Sequence, residues 1–179
     1  MTTSETPGWL LPDNEPVYDE ELERLISRWV SAVSGLEKGR VLPRWVSKQP
    51  AQLPPETDWC GFGITGMAED SSPAIVPAGA ESAELWRHEE FECMASFYGP
   101  GSQRYITRFR DGVSLSQNND ELGRNGLSVV RHSGITSFPE LINNQWVRRY
   151  DITVTLRRKV VREYGIKTFT DASVTFFGE

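Results

Sequence analysis

Residues 146–161 read WVRRYDITVTLRRKVV and place Arg148, Arg149, Arg157, Arg158 and Lys159 in one β-like run of a chain whose formal net charge is −6. Such a run can grip carboxylates or phosphates, but it supplies no nucleophile with its own base. Elsewhere, His88 stands beside Glu89 and Glu90. A lone His-Glu-Glu run in a strand is far more often a solvated face than a metal site. Cys60 and Cys93 have no metal-type spacing to each other or to His88 and His132, so both are expected to be reduced thiols. GPGSQ (99–103) has the look of a Gly-rich phosphate loop ahead of a helix, yet it lacks the phosphate-binding lysine and the parallel βαβ setting. Neither GxSxG nor HExxH occurs. The sequence therefore predicts no catalytic residue, no metal and no cofactor.

The chain has 179 residues, 38% of them hydrophobic, which suffices for one sizeable core. Its acidic balance argues against a general DNA-coating protein, which presents a basic face to phosphates. The stretch MTTSETPGWLLPDNEP lacks the charged start and apolar core of a secretory signal, and no run reaches bilayer-spanning length. A soluble, unexported protein with no membrane partner is the expectation.

The elements that must position the basic run follow from periodicity. Residues 1–18 contain three prolines and an isolated Trp9-Leu10-Leu11 patch, and read as an extended arm that docks on a neighbour. Leu22, Leu25, Ile26, Trp29, Val30 and Val33 recur at helical spacing behind Asp19, Glu20 and Glu21, predicting a helix over 19–34 that stops at Gly35. A short edge strand at 40–47 and a Pro-rich connector come next, then a strand at 59–69 whose glycines suggest a bulge or close backbone approach. Residues 70–84, rich in Ala, Ser and Pro, read as a long mobile hairpin loop.

In the strand 85–99, Phe91, Cys93, Ala95 and Phe97 share one face and His88, Glu90, Glu92 and Ser96 the other. Ser102 is placed to cap a second helix running to about Leu115, and Tyr105, Phe109 and Val113 form its apolar line. A strand at 127–132, a loop through GITSFPELINN, the basic strand and a final strand at 168–177 complete the order. The predicted fold is α+β, an antiparallel sheet with two helices packed on one side. It comprises the arm and a single domain over 19–179.

On the basic strand, Arg148, Tyr150, Ile152, Val154 and Leu156 form the predicted core face. Arg149, Asp151, Thr153, Thr155, Arg157 and Lys159 form the other. If this strand neighbours 85–99, Glu90 and Glu92 can pair with Arg149, Arg157 and Lys159 inside one subunit, at roughly 0.2–1 kcal/mol per pair. Alternatively the same five residues meet an identical subunit, so that acidic and basic columns lock a ring.

The segments FYGPGSQRYITRFRDGVSLSQNNDEL (97–122) and ITSFPELINNQWVRRYDITVTLRRKVVREYGIKTF (135–169) together resemble the neck or tail terminator proteins of tailed bacteriophages. The resemblance implies a small structural subunit that forms a hexameric ring on the last ring of the tail tube, stops its polymerisation and presents a surface to the head connector. It also implies an axial channel for DNA, contact with the sheath in contractile tails, assembly in the host cytoplasm and residence in the virion neck. The partners implied are further copies of the chain, the tube protein, connector or adaptor proteins, and DNA in passage.

On this reading Asp70, Glu81 and Glu84 are candidates to line the ring opening, where carboxylates repel phosphates. Two other functions compete with the terminator reading. One is a head-side adaptor or collar subunit. The other is a monomeric nucleic-acid-binding module using Arg148, Arg149, Arg157 and Arg158 with Trp146 and Tyr150 for stacking, weakened because the latter two fall on the predicted core face.

Overall fold

The computed structural model describes residues 3–166, so the strand expected at 168–177 lies outside the described residues. The chain packs as two compact units. The larger joins Val17–Glu69 with Glu89–Arg158, and the other joins Met1–Pro16, Asp70–His88 and Lys159–Glu179.

In the larger unit, helix α1 (Asp19–Ser34) buries Leu22, Leu25, Ile26, Trp29, Val30 and Val33, the residues whose spacing predicted it, and Gly35 ends it at φ 76°. That left-handed conformation suits the terminal position because glycine has no Cβ to clash. Strand β1 (Val41–Pro43) pairs parallel with β2 (Trp59–Glu69). β2 runs antiparallel to β4 (Ala83–Tyr98), with a register shift between Ile64 and Gly66 that supplies the expected bulge. Strand β3 (Ala74–Pro77) belongs to the smaller unit.

Helix α2 (Ser102–Gly112) follows. The capping role expected of Ser102 is not observed. Ser102 is already helical and buried, Gly101 is the cap residue, and its N–H donates to Asp58 Oδ1 at 2.7 Å. Ile106 is fully buried on this helix, whereas Tyr105 is only partly so. After a 3-10 turn comes a short helix, α3 (Asp120–Arg124), additional to the two expected. Strand β5 (Leu127–His132) then pairs antiparallel with β9 (Arg149–Tyr164).

The segment expected as a plain loop carries β6 (Thr136–Ser137), paired with β9, and a hairpin of β7 (Glu140–Ile142) and β8 (Gln145–Val147). Asn143 and Asn144 turn that hairpin at φ 48° and 61°. Two successive positive φ values define the turn type whose twist matches a tight hairpin, and Asn tolerates them. The basic stretch is consequently two strands broken at Arg148, not one.

The main sheet has the order β1-β2-β4-β9-β5. Gly99 N–H donates to Arg148 C=O at one end of the β4/β9 overlap, and Glu89 meets Arg158 at the other, an order that makes those strands antiparallel. Cys60 and Phe62, Phe91 through Phe97 at alternate positions, and Ile152, Val154 and Leu156 face α1 and α2 in one core. Trp29 meets Phe109 edge-on at 5.1 Å, and Phe109 meets Phe97 at 5.7 Å, so one aromatic chain ties both helices to the sheet. The architecture is α+β with a mostly antiparallel sheet.

In the smaller unit, β3 forms a hairpin ladder with residues 83–86. Regular pairing thus occupies part of the segment expected as a loop. The arm lies along the end of β9, where Asp13 N–H donates to Glu163 C=O at 3.0 Å, and Asn14 bonds the backbone of Val161 and Glu163.

Candidate subunit and partner surfaces

The sheet face away from the helices in the larger unit is less open than alternation alone suggests. Trp59 and Tyr98 are register partners on β2 and β4, and their rings stack at 4.3 Å with 7° between planes. Arg44 Nη2 donates to the Tyr98 hydroxyl at 3.0 Å. Trp45 lies on Gly63, where an added Cβ would come within 2.4 Å of the indole. That glycine is a close-approach residue, and it lets an aromatic ring rest directly on the strand.

Arg149 is the centre of this face. Its Nε and Nη2 reach the two Asp151 oxygens at 2.9 Å each, and Nη1 reaches Glu140 at 3.1 Å. Its guanidinium also lies over the Tyr98 and Phe138 rings. Burial pulls the Arg149 pKa down, but the Asp151 hydrogen bond and neighbouring negative groups outweigh it, and the net shift is upward. Burial likewise raises Tyr98. A cation held by two carboxylates of its own chain is a fixed part of the fold, with little charge left for a partner.

Among the five interface candidates, the recorded pairs differ from those expected. Glu90 pairs with Arg131 at 3.7 Å, and Arg149 with Asp151 and Glu140. In the smaller unit Lys159 Nζ lies 3.3 Å from the Trp86 ring centroid. Glu92 and Arg157 are exposed and have no ion-pair partner among the described residues. Of the carboxylates assigned to the ring opening, Asp70 accepts the His88 backbone N–H at 3.2 Å and lies 3.8 Å from Arg87. Glu84 accepts the Trp86 indole N–H at 2.6 Å, and Glu81 is exposed. In the arm, Trp9 is 90% and Leu11 68% exposed, with Leu10 half-buried.

Two placements correct the sequence reading. Trp146 is 74% exposed, not on the core face, and Arg148 is exposed as well, because the break at Arg148 releases both from the alternation of β9. Arg158 continues that alternation inward and is buried. Its Nε donates to Glu89 Oε2 at 2.9 Å and Nη1 to the Val17 carbonyl at 2.5 Å, between the Tyr18 and Phe91 rings. Tyr18 donates its hydroxyl proton to Glu89 at 3.3 Å. Sequence reasoning missed this pair, although extending the core parity two residues past Leu156 lands on Arg158.

Cys60 and Cys93 are both buried. Burial pushes Cys93 up to about 12, and burial together with Cys93 raises Cys60, so both stay protonated thiols at neutral pH. No group of three or more His, Cys, Asp and Glu suited to a metal occurs among the described residues. No helix among them is long and apolar enough to cross a membrane.

The described residues make an α+β protein with salt-bridged arginines, stacked aromatics and exposed apolar side chains. The sequence model of the phage neck terminator protein family matches residues 20–179. The chain belongs to that family, whose members are structural proteins of the phage neck. No curated protein matches the chain.

Proposed function

We propose that the chain forms a ring, hexameric by the resemblance set out above, that caps the tail tube, ends its growth and joins the tail to the head-neck connector around a channel for DNA. The observation that carries this reading is the family match across residues 20–179. In the proposal, exposed Glu92 and Arg157 take charge-paired contacts between subunits, with Lys159, Glu90 and Arg149 buttressing the same strands. Asp70, Glu81 and Glu84, on a segment that orders against the tube or sheath, keep the opening acidic. The chain's net charge of −6 serves the same end, since an acidic wall does not retain phosphates. Trp9, Leu10 and Leu11 of the arm dock on a neighbouring neck or tube protein. Among the described cations of the competing nucleic-acid module, Arg158 is buried and Arg149 is neutralised, which leaves Arg148 and Arg157.

Native mass spectrometry of the purified protein tests the ring. The expected species is six times the 20.2 kDa chain mass. A species that stays at one chain mass at all concentrations contradicts it.

A further inference from the structure

Asn125-Gly126 is the one Asn-Gly step in the sequence, and both of its residues are exposed. An asparagine followed by glycine is where a peptide chain most readily attacks itself, because no Cβ shields the glycine nitrogen. In that reaction the deprotonated Gly126 nitrogen adds to Asn125 Cγ and expels ammonia, closing a succinimide ring. Water then opens the ring at either carbonyl. The products are aspartate and isoaspartate, the second with its main chain routed through the side chain.

The fold places this step at the end of α3 and holds it out of reaction. Gly126 stops the helix at φ 74° with open space around it, a left-handed position that glycine fills without strain. Asn125 is the cap residue, at φ −98° and ψ 16°. With ψ near zero, the Gly126 nitrogen lies on the side of the Asn125 nitrogen and is turned away from the Asn125 Cβ. The side-chain amide is pinned back on the helix, where Nδ2 donates to the Glu121 carbonyl at 2.8 Å. Gly126 N–H donates to the Gly123 carbonyl at 3.0 Å, so the nucleophile also keeps its proton engaged.

That restraint lasts only as long as α3 stays formed. A helix of one turn does not persist without its surroundings. Here Leu122 is fully buried, and Arg28 of α1 reaches Glu121 at 2.9 Å. Local opening of so short an element takes far less free energy than global unfolding.

We propose that Asn125 is a site of spontaneous deamidation gated by α3. Closed, the helix suppresses the reaction, and each opening releases Asn125 and Gly126 to react. The product closes less well. A carboxylate has no proton for the Glu121 carbonyl, and it adds negative charge at a helix C-terminus. Isoaspartate also lengthens the main chain just ahead of Leu127, the buried first residue of β5. Deamidation thus frays α3 and the start of an edge strand, whether or not the chain assembles.

The full-length protein, folded and in urea, is incubated in mildly alkaline buffer, and peptides are followed by mass spectrometry for conversion of amide to acid. In urea, Asn125 is expected to convert ahead of Asn143 and Asn144, whose successors carry side chains. In the folded protein its conversion is expected to be slower by roughly tenfold or more. Leu122→Ala removes the buried anchor and is expected to bring the folded rate most of the way to the urea rate. If that variant fails to fold by circular dichroism, Arg28→Ala replaces it. Losing only the exposed ion pair, it is expected to speed folded-state conversion about two- to fivefold, with no change in urea. Asn125→Asp reproduces one product and is expected to speed amide hydrogen exchange across α3 and at Gly126.

Asn125 converting no faster in urea than Asn143 and Asn144 overturns the site. A folded rate equal to the urea rate overturns the gate, and so does a rate that the folded variant leaves unchanged. Unaltered hydrogen exchange in Asn125→Asp overturns the fraying.

Discussion

Replacing Glu89 with Gln is expected to destabilise the protein by about 3–5 kcal/mol, because it leaves Arg158 charged and buried without its counter-ion. The Arg158 side chain is 4% exposed and the Glu89 side chain 10%, and Tyr18, Phe91 and the Val17 carbonyl close around them. Arg158 cannot escape by losing its proton, and its Nη2 already has no hydrogen-bond partner among the described residues. The exposed pair Arg24–Glu20 has the same charges and a shorter separation, 2.6 Å, yet Glu20→Gln is expected to cost no more than about 0.5 kcal/mol.

Replacing both partners, Glu89→Leu with Arg158→Met, is expected to recover most of the loss, since a packed apolar pair avoids the desolvation that a buried ion pair suffers. Urea denaturation of the wild type, Glu89→Gln, Glu20→Gln and the double variant measures these differences. A Glu89→Gln loss below about 1 kcal/mol would mean that water reaches the pair and that its burial has no energetic weight.

Phe109→Ala is expected to cost about 3–5 kcal/mol, the range for removing a fully buried aromatic ring. Phe109 is 0% exposed and touches Trp29 of α1 and Phe97 of β4, so its loss opens a cavity where both helices meet the sheet. Trp29 cannot easily move to fill the space, because its indole N–H donates to Asn119 at 3.1 Å. Gln103→Ala, on the exposed side of α2, is expected to change stability by less than about 0.5 kcal/mol. Similar losses for the two variants would show that α2 is not oriented as described.

The parts of the fold that were legible are those where one face meets a core. The apolar spacing of Leu22 through Val33 located α1, and the alternation of Phe91, Cys93, Ala95 and Phe97 oriented β4, because burial acts directly on residue type at each position. The hairpin at 140–147 was not legible in the same way. Asn143-Asn144 carries a turn signal weaker than Asn-Gly, and Leu141 and Trp146 look like core residues although the ribbon holds them out in solvent.

Arg158 was hidden for the opposite reason: its type says surface while its parity says core, and a partner 69 residues away decides the matter. The candidate interface suffered likewise, since sequence shows that Arg149 is a cation on a strand but not that Asp151 and Glu140 already neutralise it.

Electron microscopy of particles from an infection lacking only this chain shows whether it closes the upper end of the phage tail. Filled heads beside free tails that are unjoined or abnormal in length are expected, because nothing then stops the tube or offers the connector a surface. Tails of normal length joined to heads in the absence of the chain would contradict that role.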